Sequence, residues 1–219
     1  MNALAIEAST YSGSVAVLRD GIVIAERETA MRGENEERLM PAVADALAEA
    51  GIAPNELQRI ICGAGPGSFT SLRIAGAIAK GLALTAQAPL HPVSSLLLVI
   101  AGAKSELSPG RYVAALDAMR GDVFAAAFAL TDGAIVTESE TVIVPRSDLE
   151  AFAREHSACV VGPAETQLLS PHARGAAALG TRTPWPAAAS LATWEPNYGR
   201  LAEAQVRWEA EHGRALTPR

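Results

Sequence analysis

Apolar and polar positions change period along this chain often enough to lay out its elements before any residue is read for chemistry. Leu4 to Ala8 is a short apolar run that reads as a strand, and Gly13 to Leu18 alternates as a second. Asp20-Gly21 is then a two-residue hairpin signal into a third, Ile22 to Glu28. From Glu36 the spacing turns helical: Leu39, Val43, Ala46, Leu47 and Ala50 recur on one face, Pro41 belongs to the first turn, and Gly51 stops the helix. Arg59 to Cys62 is a further strand. It ends in Gly63-Ala64-Gly65-Pro66-Gly67 and opens into a helix, Ser71 to Gln87, with almost no wet face. Leu72, Ala75, Ala79, Leu82 and Ala86 form one stripe and Ile74, Ala77 and Ile78 a second, so only Arg73, Lys80 and Gln87, seven apart, mark a polar seam. A helix apolar on nearly all sides is covered on nearly all sides. One side lies on the chain's own sheet, and the small residues Ala75, Gly76, Ala79 and Ala83 let another helix approach on the other. Whether that neighbour is internal or belongs to a second protein is open at this point.

The second half repeats the first. His91 to Ser95 predicts a short strand and helix cap, and Leu96 to Ala103 continues apolar to a polar loop, Ser105 to Gly110, which marks a boundary between lobes 1–105 and 106–219. Tyr112 to Leu116 ends in Asp117 as Leu4 to Ile6 ends in Glu7. Gly121 precedes Val123 to Leu130 as Gly13 precedes Val15 to Leu18, and Asp132-Gly133 turns the chain into Ala134 to Val144 as Asp20-Gly21 does earlier. Ser147 and Glu150 have capping-box spacing for a helix to about Glu155, and Cys159 to Pro163 parallels Ile61 to Pro66. The whole reads as a degraded copy. Residues 170–196 turn Ala-, Pro- and Gly-rich, with only a short helix expected at Ala187 to Thr193. A last helix carries Arg200, Arg207 and Arg214 among Glu203, Glu209 and Glu211, a mixed solvated face expected to pack back on the first lobe.

Composition narrows the function classes. At 219 residues the chain can build two lobes, each with a core. Hydrophobic residues make up 49%, yet no apolar run approaches the ~20 residues of a bilayer crossing. The opening MNALAIEAST reads as a first strand and not as a secretion signal, so a cytoplasmic protein without membrane contact is expected. The net charge of -6 and the pI of about 5.3 leave no broad basic footprint, so any nucleic-acid contact is expected to be indirect. Cys62 and Cys159, each at the end of a β run, read as small buried hydrophobes.

The glycines at 63, 65 and 67 fit neither common phosphate motif: Ser68 stands where a dinucleotide fingerprint wants its third glycine, and a P-loop's Gly-Lys-Ser/Thr ending is absent. Two readings stay open, an anion site at the helix N-terminus and a tight turn that only glycine fits. The histidines His91, His156, His172 and His212 lie far apart with no ligand spacing, so no metal is expected. No Gly-x-Ser-x-Gly elbow is present for a hydrolase.

Several stretches taken together resemble the TsaB family, also called YeaZ: Glu7-Ala8-Ser9-Thr10, Arg38-Leu39-Met40-Pro41, GPGSFTSLRIAGAIAKGLA from Gly65 to Ala83, Pro92 to Leu96, Asp117 to Phe124, and Pro196-Asn197-Tyr198. The resemblance covers nearly the whole chain and thins between Ser170 and Pro196. It implies an α/β protein of the actin-like ATPase (ASKHA, ribonuclease H-like) fold, two duplicated lobes with mixed sheets. It also implies a non-catalytic scaffold and dimerization subunit for threonylcarbamoylation of tRNA adenosine 37. That subunit binds a catalytic TsaD-type paralogue, works with a TsaE-type small ATPase, and forms homodimers when alone. The implied interface uses Leu39, Val43, Leu72, Arg73, Gly76, Ala79, Lys80 and Ala83, and requires the small-residue surface past the glycine bend to be left free by the chain's own second half. In the actin-like class, acids placed as Glu7 and Asp117 are help hold magnesium on nucleotide phosphates between the lobes, so the resemblance also implies an alternative: an ATPase or small-molecule kinase. A vestigial nucleotide site at Glu7, Ser9 and Asp117 is expected, with no cofactor beyond ATP or ADP at the heterodimer interface. The two histidines by which the catalytic paralogues bind metal have no counterpart in Arg32 to Glu37.

Overall fold

A computed structural model describes residues 1–31, 37–132, 134–180, 183–199 and 212–213. The chain opens with strands β1 (Asn2–Glu7), β2 (Ser12–Arg19) and β3 (Ile22–Ala30). The hairpin between β2 and β3 turns at Asp20 and Gly21, with φ of 54° and 82°, the left-handed pair that matches the twist of two tightly joined strands. Helix α1 (Leu39–Ala50) follows, closed by Gly51 at φ 62°. Next come β4 (Arg59–Gly63), α2 (Phe69–Ala86), β5 (Leu90–Val93) and α3 (Ser95–Gly102). The five strands form one sheet in the order β3-β2-β1-β4-β5, the first three antiparallel and β4 and β5 parallel to β1.

The second sheet repeats this order. Strands β6 (Gly110–Asp117), β7 (Asp122–Leu130), β8 (Ile135–Thr137), β9 (Val142–Pro145), β10 (Cys159–Gly162) and β11 (Gln167–Leu168) run β11-β10-β6-β7-β8, with β9 also on β7. Helix α4 (Leu149–Glu155) precedes β10 as α1 precedes β4. The copies differ where α2 stands. An 18-residue helix joins β4 to β5, whereas residues 163–166 alone join β10 to β11.

Four expectations need correction. The run Ala134 to Val144 is two strands, because Ser139 turns inward and its Oγ accepts the Ala127 amide at 2.9 Å, breaking the ladder. Ser147 does not cap α4: a 3-10 turn, Arg146–Asp148, precedes the helix and Ser147 Oγ donates to Asp148 Oδ1 at 2.9 Å. Cys159 begins β10 at the surface, unlike the buried Cys62. Ala187 to Thr193 forms no helix, only a turn at Ser190 to Trp194. Of the Arg200 to Arg214 helix all but His212 and Gly213 lies outside the described residues, as does Gly133.

Leu39, Val43 and Leu47 of α1 and Ala75, Ala79 and Leu82 of α2 cover one face of the first sheet. The other face, with Ala5, Ala16 and Ile61, is closed by Ala173, Ala176 and Leu179 from a 3-10 turn at Ala173–Ala178. α3 lies between the two sheets. Its Leu98 enters the first core while Leu96, Val99 and Ile100 enter the second, which is why this helix is apolar around its whole circumference.

His172 pins the covering segment. Its Nδ1 accepts the Arg174 amide at 3.0 Å, so Nε2 carries the proton and donates to Glu28 Oε1 at 2.9 Å. One residue on, the Ala173 amide donates to Ser14 Oγ at 2.9 Å.

The glycine bend and the exposed face of helix α2

Physical constraint at the glycine bend begins with Gly63, the last residue of β4. A Cβ there would overlap the Glu7 carboxylate, and one at Gly67 would overlap the Ser9 carbonyl, so both positions exclude any side chain. The bend is also tied down by its amides. Ala64 N–H donates to Val93 O at 2.7 Å, Gly65 N–H to Ser95 Oγ at 3.1 Å and Ser68 N–H to Ser9 O at 2.8 Å. Those three donors are held by the protein itself, which supports the tight-turn reading over the anion cradle.

Glu7 is fully buried beneath this bend. Oε1 accepts the Ser9 amide at 2.6 Å and Oε2 the Ser95 hydroxyl at 2.8 Å. Burial lifts its carboxyl above the ordinary value of 4.5, although hydrogen bonds from Ser9 and Ser95 oppose the shift. Burial, helped by the Glu7 charge, also pushes the Cys62 thiol up, so that sulfur stays protonated. Asp117, at the equivalent end of β6, is exposed and accepts the Met119 amide at 2.9 Å. The topology thus places the two acids alike, and the packing treats them oppositely. Ser9 is buried against the bend, Asp117 is in solvent, and Glu7 has no surface through which an ion could reach it. Among the described residues no cluster of three or more His, Cys, Asp or Glu could hold a metal ion.

Helix α2 carries the residues expected to meet a partner, and most of them face inward. Leu39 and Val43 of α1 are fully buried, as are Leu72 and Ala79 of α2, and Ala83 is 1% exposed. Leu39, Val43, Ala79 and Ala83 belong to the core on the first sheet and Leu72 lies against Gly65 of the bend, so none of them can also form an open face. Gly76 is covered differently: the chain's own Pro196 and Trp194 lie where a side chain would be, at 3.3 and 3.5 Å. Lys80 is half-buried with Nζ 5.8 Å from the Trp194 ring, and Arg73 is exposed, its guanidinium 5.4 Å from the Phe69 ring. The small-residue stripe is therefore satisfied within one chain, partly by its C-terminal segment.

A different row of α2 is open. Arg73, Ala77, Gly81 and Leu84 are exposed, Leu84 to 66%, and Ile74 and Ile78 beside them are half-buried. Among the described residues no atom beyond its two chain neighbours and the helix's own backbone lies within 4 Å of the place of a Gly81 side chain, so another backbone can come close there. On α1, Met40, Pro41, Ala44 and Ala48 are exposed as well. Sequence reasoning missed this row because alanine and glycine give no sign of which way they point. The spacing 73, 77, 81, 84 is nevertheless helical, and Leu84 was its one strong marker.

Two sheets of strand order 3-2-1-4-5, each with three antiparallel strands followed by parallel ones, define the duplicated ribonuclease H-like lobes of the actin-like ATPase class. A family model described as "TsaD: tRNA N6-adenosine threonylcarbamoyltransferase" matches residues 28–154, more than half of the chain. The "tRNA threonylcarbamoyladenosine biosynthesis protein TsaB" of Escherichia coli K12 is 37% identical over 149 residues, 68% of this chain and 64% of that protein. Its namesake from Bacillus subtilis 168 is 36% identical over 133 residues, 61% of this chain and 57% of that protein. The solved structure of YeaZ from Pseudomonas aeruginosa superposes with a TM-score of 0.66 at 27% identity, covering 80% of this chain and 88% of that one. The chain belongs to this family, on its TsaB (YeaZ) side. Its match spans less than two thirds of the length of these curated relatives.

Proposed function

We propose that this protein is a non-catalytic scaffold in tRNA N6-threonylcarbamoyladenosine biosynthesis that binds and activates a catalytic TsaD-type paralogue. The lobe of residues 1–105 presents α1 and α2, and residues 106–219 form the supporting lobe. The observation that carries this reading is the open row Arg73, Ala77, Gly81 and Leu84, flanked by Ile74 and Ile78. It is an apolar, small-residue helix face of the kind that packs closely on another helix. The names of the relatives supply the pathway. In this reading a TsaE-type ATPase joins the assembly, tRNA is held by other members, and the same face supports a homodimer when the paralogue is absent. Any ATP or ADP belongs to the joint interface. The alternative, catalysis with magnesium between Glu7 and Asp117, has the burial of Glu7 against it.

The test is a pair of substitutions in the full chain. Ala77→Glu with Gly81→Glu is expected to abolish copurification with the paralogue from the same cell and to leave the lone protein folded. Cells depleted of the protein are expected to lose the modified adenosine from tRNA. A complex that survives both glutamates, or tRNA that keeps its modification, overturns the reading.

A further inference from the structure

The open row of α2 does not end with the helix. At its N-terminal end, the Phe69 and Tyr198 rings lie with centroids 4.5 Å apart and planes tilted by 46°, and the Arg73 guanidinium sits 5.4 Å from the Phe69 centroid. Phe69 is 38% exposed, Tyr198 is half-buried and Arg73 is exposed. Tyr198 arrives from the far end of the chain. Its segment is fastened on the way: Ala189 N–H donates to Leu90 O at 2.8 Å, Trp194 and Pro196 cover Gly76, and Asn197 N–H donates to Ala64 O at 2.7 Å. The Tyr198 hydroxyl donates to Glu195 Oε2 at 3.3 Å, which leaves the ring as the part turned to Phe69.

We propose that the docking face is composite: the Phe69–Arg73–Tyr198 cluster is its energetic anchor, and it receives an acid-bearing apolar helix of the partner. This rests on the scaffold reading above and adds what the face selects. Tyrosine and arginine are enriched among the side chains that dominate interface energies, tyrosine because a stiff ring buries large area at small entropic cost and arginine because its planar guanidinium stacks on rings and pairs with carboxylates. The charge points the same way. Helix α2 contains Arg73 and Lys80 and no acid, in a chain of net charge -6, and among the described residues Arg73 has no carboxylate within ion-pair distance. A carboxylate on the partner completes it. A second copy of this chain would bring Arg73 and Lys80 of its own α2 to the same face, like charge toward like, so it binds there more weakly than the paralogue, whose helix supplies the acid. The cluster lies about 17 Å from Leu84, eleven residues along the helix at ~1.5 Å per residue, so a partner helix of three turns spans both.

The experiment measures binding of full-length variants to the purified tRNA N6-adenosine threonylcarbamoyltransferase of the same cell. Tyr198→Ala and Arg73→Glu are each expected to weaken binding about tenfold or more, and Tyr198→Phe to stay within about twofold of the parent. Arg73→Ala is expected to flatten the salt dependence of association. If Tyr198→Ala and Arg73→Glu bind like the parent while Gly81→Glu abolishes binding, the anchor is elsewhere and this inference fails with the scaffold reading intact. If Gly81→Glu also binds normally, the scaffold reading itself fails. Equal loss in Tyr198→Phe and Tyr198→Ala overturns the stacked-ring account. Should Tyr198→Ala melt early, the Arg73→Glu and Tyr198→Phe results decide alone.

Discussion

Gly63 and Glu7 make a pair in which each residue explains the other. The carboxylate occupies the space a side chain at 63 would need, and it is held there by Ser9 and Ser95. Gly63→Ala should therefore cost about 3 kcal/mol or more, read as a lower urea midpoint, because both the strand and the carboxylate must move. Glu7 sets a pH dependence of defined sign. Its folded value lies above 4.5, so between about pH 4.5 and that value the native chain keeps a proton that the unfolded chain has released. Stability contributed by the protonated group is complete below about pH 4.5 and lost as pH rises through the folded value. Glu7→Gln, which keeps the shape without the charge, should remove that decline in urea melts taken across the window. His172 runs the other way. Burial, with Arg174 nearby, lowers its value below 6.5 despite Glu28, so its contribution is present at higher pH and fades as pH falls from about 6.5.

Helix α2 shows what a strongly apolar element hides from sequence reasoning. Its existence and its start after the glycine bend were legible from spacing, as was the repeated succession of strands and helices along the chain. Its orientation was not. With alanine and glycine at seven of its eighteen positions, several faces are small and apolar, and only the sheet decides that Ala79 points in and Gly81 out. The two glutamates therefore separate cleanly. Ala79→Glu buries a charge beneath the helix and should destabilise the lone protein by about 3 kcal/mol or more, visible as an early thermal melt. Gly81→Glu should leave the melt unchanged or slightly higher, since glutamate is the better helix former by about 0.5 kcal/mol, while copurification with the paralogue is lost. The cover provided by Trp194 and Pro196 was equally invisible, because a contact 118 residues distant, between Gly76 and Trp194, leaves no local period in a Pro- and Ala-rich segment.

At the scale of the whole molecule, the two halves are joined by more than a linker. α3 contributes to both cores, Ser95 at its start holds Glu7 of the first strand, and the segment from Ala189 to Gly199 runs from β5 past the glycine bend to Phe124 of the second sheet. Trp194→Ala should accordingly lower global stability by about 1–3 kcal/mol, in one cooperative transition by both near- and far-ultraviolet dichroism. Among the described residues no helix is long and apolar enough to cross a membrane. The short 163–166 connection stands where the first half has an 18-residue helix, so among the described residues α2 has no counterpart in the second half. If α2 is the docking helix of the scaffold reading, the valency of the subunit through it is one: pairs close and stop, and an architecture whose halves repeat is not extended head-to-tail into a filament through this contact.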